Sequence, residues 1–244
     1  MKMILFDIDG TLLLTGGVGQ IAFDLAFEEI FGVPEAWQDT IPDGKTDPLI
    51  IDEIAKKALG RPLSGAEYVR LCRSYHDHFR ERIKDAHRFR LMPGVLSLLE
   101  TCRAERHGFM GVATGNFEEA AWSKLKRGGI ADFFRFGGFA DSFQGHEQAT
   151  SDGDMALKVL EARCALTREA MRRGREMAGH ALAEDRIFLI GDTLHDVRAG
   201  KKLGLRTIAV ATGGVSPEKL EQAKPDLVLE DLSDTDRFFK FINA

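Results

Sequence analysis

The stretch MKMILFDIDGT at residues 1–11 decides the fold of this chain. Its apolar run from Met3 to Ile8 has the length and the Ile, Leu and Phe content of a strand buried on both faces of a parallel sheet. Asp7 and Asp9 interrupt the end of that run. Because a carboxylate is costly to bury unless a cation or hydrogen bonds compensate it, two acids at this strand end call for a functional explanation.

Four further short apolar runs predict buried strands, and helical patterns separate most of them. These runs are Phe109–Ala113, Arg186–Ile190, Arg206–Ala211 and Asp226–Leu229. Alternation of this kind is typical of an α/β fold, so we predict a Rossmann-like parallel sheet with helices on both faces.

The interval between the first two strands is almost purely helical and too long for a simple crossover. We therefore predict an inserted α-helical module at residues 17–90 and an α/β core formed by residues 1–16 and 91–244. Further along, the pattern predicts two successive helices, one around Met155–Cys164 and one around Thr167–Ala178.

The overall composition limits the possible partners. The 244 residues carry a net charge of −5, which gives no general attraction to nucleic acid or to an anionic membrane surface. No window approaches the roughly 20 apolar residues of a membrane span, so we expect a cytoplasmic protein without nucleic-acid or membrane partners. The pattern leaves the oligomeric state open.

Polar residues follow three of the predicted strands. Asp7 and Asp9 end the first, Thr114 ends the second, and Asp192 and Asp196 follow a later one. Taken singly, each is more typical of a helix cap or a turn. Because parallel strands deliver their carboxyl ends to one crevice, these side chains are expected to face one another. Crowded carboxylates with only oxygen ligands favour Mg²⁺.

These residues resemble the motifs of a known superfamily. FDIDGT at residues 6–11, Thr114 and GDTLHD at residues 191–196 resemble motifs one, two and four of the haloacid dehalogenase (HAD) superfamily. The helical insert stands where that family has its type-one cap, and residues 92–95 look like the return from cap to core. The nearest likeness is to the phosphoglycolate-phosphatase-like branch.

The resemblance implies a mechanism for the paired acids. Asp7 would attack the phosphorus of a phosphomonoester and form an aspartyl-phosphate, while Asp9 would act as general acid and then as general base. Mg²⁺ would be held by the side chains of Asp7 and Asp192 and by the backbone carbonyl of Asp9, with Asp196 completing the acidic loop.

The resemblance also implies residues that bind the substrate. Thr114 would bind the phosphoryl oxygens together with three neighbours whose backbone or side chain approaches the phosphate. These neighbours are Gly10, Gly115 and Asn116. In the insert, the loop at residues 43–47 resembles an element of related caps, which makes Lys45 a candidate contact to the rest of the substrate; a surface lysine beside a turn is the alternative.

The family also places a cation beside the nucleophile, on a helix that precedes motif four. Two residues are candidates here, Arg168 and Lys158. The expected start of a helix near Arg168 favours that residue. Either residue can instead be a solvated helix position, which is the usual place of Lys and Arg.

The leading hypothesis is therefore a Mg²⁺-dependent phosphatase acting on a small phosphorylated metabolite, with phosphoglycolate or a sugar phosphate as examples. A dehalogenase of the same fold needs neither Asp9 nor the pair Asp192 and Asp196. A phosphomutase would share every core residue, and a non-catalytic phosphate-binding module is the alternative from a different class.

Overall fold

The computed structural model describes residues 1–42, 44–105, 108–142, 155–179 and 182–244. Six of its strands form one sheet: β1 Met3–Phe6, β4 Phe109–Ala113, β5 Gly137–Gly138, β6 Ile187–Gly191, β7 Arg206–Val210 and β8 Leu227–Leu229. The strand order is β5-β4-β1-β6-β7-β8, and every neighbouring pair is parallel. Two short strands, β2 Leu13–Leu14 and β3 Arg90–Leu91, form a separate antiparallel pair.

The helices of the described residues fall into an inserted group and a core group. The inserted group is α1 Val18–Phe31, α2 Asp47–Leu59 and α3 Gly65–Arg82. The core group is α4 Val95–Ala104, α5 Glu118–Arg127, α6 Met155–Ala178, α7 Leu194–Lys202, α8 Pro217–Gln222 and α9 Thr235–Asn243. Among the described helices, none combines the length and apolar character needed to cross a bilayer.

Strand β1 is buried on both of its faces. Ile4 and Phe6 pack into a cluster with residues of α4, α5 and α9, whereas Met3 and Leu5 pack on the opposite side with residues of α6. Successive side chains of a strand point to opposite faces, so an unbroken apolar run is what a sheet covered on both sides requires. The predicted α/β fold class with an inserted helical group is confirmed.

The inserted helices have an apolar cluster of their own. Phe23 and Phe27 of α1 pack with Tyr75 and Phe79 of α3, and the rings of Phe23 and Tyr75 stack with their centroids 4.1 Å apart. We call residues 17–90 the cap; the boundaries assigned to it stay a prediction.

The expectation of two helices between residues 155 and 178 is wrong, because α6 runs unbroken over Met155–Ala178. Thr167 was expected to open the second helix. Instead, its hydroxyl donates a hydrogen bond of 2.7 Å to the carbonyl of Arg163 in the preceding turn. A hydroxyl bonded back to the residue four positions earlier belongs to a helix interior.

Candidate active site

The candidate residues gather where β1 and its two neighbours end. Asp7 follows β1, Thr114 follows β4 and Asp192 follows β6. The backbone N–H of Asp7 donates to the carbonyl of Ile190 at 2.9 Å, which extends the β1–β6 pairing to the acid itself. Because the three strands are adjacent and parallel, the sheet brings these side chains to a single edge.

Three carboxylates form the centre of the site. Asp7, Asp192 and Asp196 each present an oxygen within 4.8 Å of the others, and all three are buried. Burial, assisted by the negative charge of Asp7, raises the pKa of Asp192 to about 7. The hydroxyl of Thr11 donates to Asp192 at 2.8 Å and favours the opposite shift. The cluster therefore holds more negative charge than its surroundings readily accommodate.

Asp196 is oriented by the first turn of α7. The Thr193 hydroxyl accepts the N–H of Asp196 at 3.3 Å, and the Oδ2 atom of Asp196 accepts the N–H of Thr193 at 3.1 Å. This reciprocal capping box satisfies two backbone donors and fixes the carboxylate. The other oxygen, Oδ1, forms an ion pair with Arg163.

The cation beside Asp7 is Arg163, which was not among the residues expected from the sequence. Its Nη2 atom lies 2.8 Å from Oδ2 of Asp7 and also contacts Asp196, and its side chain is buried. Arg168 is exposed, and Lys158 is half-buried in an earlier part of the same helix. The preference for Arg168 relied on a helix start that is absent, since α6 is continuous across that position.

A sequence signal for Arg163 was present. Read as one helix, α6 has a buried stripe at helical spacing that includes Val159, Leu166 and Ala170, and Arg163 lies within that stripe. An arginine on the apolar face of a helix is almost never buried without a partner. The assumed break between two helices hid this periodicity.

Two glycines make room for neighbouring groups in the site. Gly10 has a φ of 78°, and a Cβ atom there would lie 2.3 Å from Oδ2 of Asp192. A Cβ atom on Gly115 would lie 2.6 Å from the carbonyl oxygen of Lys45 in the cap. In this structure, Gly10 therefore admits the carboxylate, and Gly115 admits the cap backbone.

Asp9 lies at the open side of the site and has a partner that the sequence analysis missed. Its side chain is 41% exposed, and its Oδ2 atom lies 2.6 Å from the Nζ atom of Lys124. Lys124 also donates to the Oδ1 atom of Asn116 at 2.9 Å, and the N–H of Asn116 donates to the hydroxyl of Thr114 at 3.4 Å. Lys124 lies on the buried face of α5 with Ala120, Ala121 and Leu125. That position was the sequence signal for a buried lysine.

The side chain of Lys45 is directed into the cap. Its Nζ atom lies 2.5 Å from Glu53 and donates to the carbonyl of Ile41 at 2.7 Å. Its backbone, in contrast, faces the core at Gly115. Asp43, in the same loop, lies outside the described residues.

The cap contacts the core loop through Asp47, the first residue of α2. Its N–H donates to the carbonyl of Gly115 at 2.7 Å, and its Oδ2 atom accepts the N–H of Phe117 at 2.8 Å. Asp47 is 4% exposed, and burial raises the pKa of its carboxyl to about 7, although the charge of Lys124 opposes that shift. An acid of the cap is therefore enclosed against the loop that carries Thr114.

Comparisons with known proteins agree with this arrangement. A HAD-hydrolase-like family model matches residues 164–235. The chain is 23% identical over 232 residues to the probable phosphatase IndB of Dickeya dadantii, with 95% of this chain and 90% of that protein covered. It is 27% identical over 240 residues to a phosphoglycolate phosphatase of Vibrio cholerae, with 95% and 94% covered.

One solved structure has the same fold as this chain over almost the whole length of both proteins. It is a predicted phosphoglycolate phosphatase from Haemophilus somnus, which matches with a TM-score of 0.64 at 20% identity and with 98% of both chains covered. The family model covers α7 and the acidic loop before it, and the similarity to each of the two relatives extends over 95% of this chain. Together with the strand-end motifs, these findings support assignment of the chain to the HAD-like hydrolase superfamily.

Proposed function

We propose that this protein is a Mg²⁺-dependent phosphatase that hydrolyses a small phosphomonoester through an aspartyl-phosphate on Asp7. The observation that carries the proposal is the asymmetry between its two acids. The side chain of Asp7 is 8% exposed and paired with Arg163, whereas the side chain of Asp9 is 41% exposed at the open side of the site. Two carboxyl groups in such different surroundings are suited to different tasks.

The reaction follows in two displacements. A carboxylate oxygen of Asp7 attacks phosphorus, the bond from phosphorus to the ester oxygen breaks, and that oxygen takes a proton from Asp9 as it leaves. Water then attacks the phosphorus of the aspartyl-phosphate and gives a proton to Asp9. The bond from phosphorus to the Asp7 oxygen breaks, which releases phosphate and restores both acids.

Arg163 and Thr114 stabilise the negative charge of the phosphoryl group during its transfer. The guanidinium of Arg163, already in contact with Asp7, offsets the repulsion between a carboxylate and a phosphate dianion. Thr114 stands at the end of the neighbouring strand, where its hydroxyl and nearby N–H groups can bind phosphoryl oxygens.

The donor set fits Mg²⁺. Three buried carboxylates converge, and a cation held between them would offset their mutual repulsion. Asp7 and Asp192, with the backbone carbonyl of Asp9, would hold the ion, and Asp196 would support Asp192. When bound, Mg²⁺ stabilises the negative charge on the phosphoryl group.

The relatives support the proposed substrate class. The phosphoglycolate phosphatase of Vibrio cholerae makes phosphoglycolate the first compound to examine, with sugar phosphates next. Lys45 is proposed to reach the non-reacting part of the substrate once it exchanges Glu53 for that group.

The test is phosphate release from a panel of phosphomonoesters with Mg²⁺ or EDTA. We expect turnover that requires Mg²⁺, no turnover for Asp7→Asn, and a loss of about 100-fold or more for Asp9→Asn, the usual range for general acid–base catalysis. Asp236→Asn, a change to an exposed aspartate of α9, is the matched control. A folded protein that releases no phosphate from any ester would contradict the proposal.

A further inference from the structure

Lys124 is a buried cation in contact with the acid that serves the leaving group. The residue is 4% exposed, and its Nζ atom lies 2.6 Å from Oδ2 of Asp9. Long charged side chains are rarely buried, and an ammonium taken out of water is costly unless it is paired. The fold therefore holds this lysine in place for a reason that core packing alone does not supply.

The surroundings of Lys124 fix its ammonium group from several sides. Asn116 accepts a hydrogen bond from it at 2.9 Å, and the ring of Phe79 in α3 lies with its centroid 5.7 Å away. The side chain of Asn116 is also hydrogen-bonded to Asp47 of the cap. The lysine is thus held directly by Asn116 of the core loop and by Phe79 of the cap, while Asp47 of the cap supports Asn116.

We propose that Lys124 is a positioning residue for Asp9. It engages the Oδ2 atom, sets the plane of the carboxyl group and leaves Oδ1 as the oxygen that gives the proton to the leaving alcohol and later takes one from water. The inference rests on the proposed function. A proton donor must lie within hydrogen-bond reach of the atom it serves, so a carboxyl group free to rotate transfers its proton less often.

This role predicts that the need for Lys124 depends on the leaving group. An alkyl phosphate releases an alkoxide that needs the proton, whereas p-nitrophenyl phosphate releases a nitrophenolate that leaves without one. The ratio kcat/KM reports the steps up to formation of the phosphoenzyme, so it isolates the acid role of Asp9 from its later role as base.

The experiment measures kcat/KM for both esters in the full chain with Mg²⁺. For Lys124→Met we expect a loss of about 100-fold with the best alkyl phosphate of the panel, the scale of general acid catalysis, and a much smaller loss with p-nitrophenyl phosphate. Lys124→Arg, which keeps a cationic donor, should recover part of the lost activity. Lys126→Met, on an exposed position of the same helix, is the matched control and should change neither value.

The outcomes separate the two proposals. Equal losses on both esters, or no loss on the alkyl ester, would overturn the positioning role while the proposed phosphatase function stands. Absence of wild-type turnover on both esters would overturn both. Circular dichroism establishes that each variant is folded, and Lys124→Gln, which keeps a donor without charge, replaces Lys124→Met if that variant does not fold; the same dependence on the leaving group is expected.

Discussion

Arg163 shows how a single buried side chain can organise a site of like charges. It contacts two of the three clustered carboxylates, Asp7 and Asp196, from the middle of α6. Removing one partner of a buried ion pair leaves the others uncompensated, which is more damaging than the loss of a surface pair.

We therefore predict that Arg163→Met lowers both activity and stability. Without Mg²⁺, the free energy of unfolding should fall by about 3–5 kcal/mol, as for other broken buried pairs, and phosphate release should be largely lost. Arg163→Lys should retain part of each property because it keeps a positive charge. Urea denaturation and the phosphate assay provide the two measurements.

Arg168→Met is the control for this change because Arg168 is exposed on the same helix and was the cation favoured by the sequence. It should leave both properties close to those of the wild type. Loss of activity in Arg168→Met with none in Arg163→Met would reverse the assignment.

At the scale of elements, the continuity of α6 decides which cation reaches Asp7. Two helices, as the sequence pattern suggested, would have placed Arg168 in a first turn; one helix places Arg163 on the buried face instead. Periodicity alone distinguishes these cases poorly when a threonine stands near a possible boundary, since threonine serves both as a cap and within a helix.

The stability of the folded protein depends on pH through Asp47, which lies at the start of α2 and contacts the core. Burial raises the pKa of this carboxyl to about 7 in the folded protein, above its ordinary value of 3.8. The folded state then binds more protons than the unfolded state between these values, so stability falls as the pH rises through this window. Below this window, Asp47 is protonated in both the folded and the unfolded state, and it contributes no change in stability with pH.

We predict that Asp47→Asn makes the free energy of unfolding less dependent on pH in this window. Between about pH 4 and pH 7, Asp47 should cost the wild type up to about 4 kcal/mol, and the asparagine variant should lack that contribution. Urea denaturation at both pH values measures the difference. Asp85→Asn, a change to an exposed aspartate of the cap, should keep the wild-type dependence, and an equal dependence in Asp47→Asn would contradict the account.

At the scale of the whole molecule, the sequence predicted what local patterns encode. Apolar runs and helical periodicity were enough to predict the parallel sheet and the insert. Because Asp7, Thr114 and Asp192 each follow a strand, the sequence also predicted that they meet at one edge of the sheet. The partners Arg163 and Lys124 are 156 and 115 positions from the acids they contact, so no local pattern pairs them.

The proposed mechanism requires Asp7 to carry the phosphoryl group. Its place at the end of the central strand, with Arg163 on one side and the acidic loop on the other, is the structural basis of that assignment. A covalent phosphoryl group on an aspartate can be trapped by acid quenching during turnover and converted by borohydride to a homoserine, which mass spectrometry locates.

The position of the homoserine identifies the residue that carried the phosphoryl group. With the preferred phosphomonoester and Mg²⁺, we predict homoserine at position 7 in the wild type and none in Asp7→Asn. Trapping that occurs at another residue, or none during sustained phosphate release, would contradict a mechanism through an aspartyl-phosphate on Asp7.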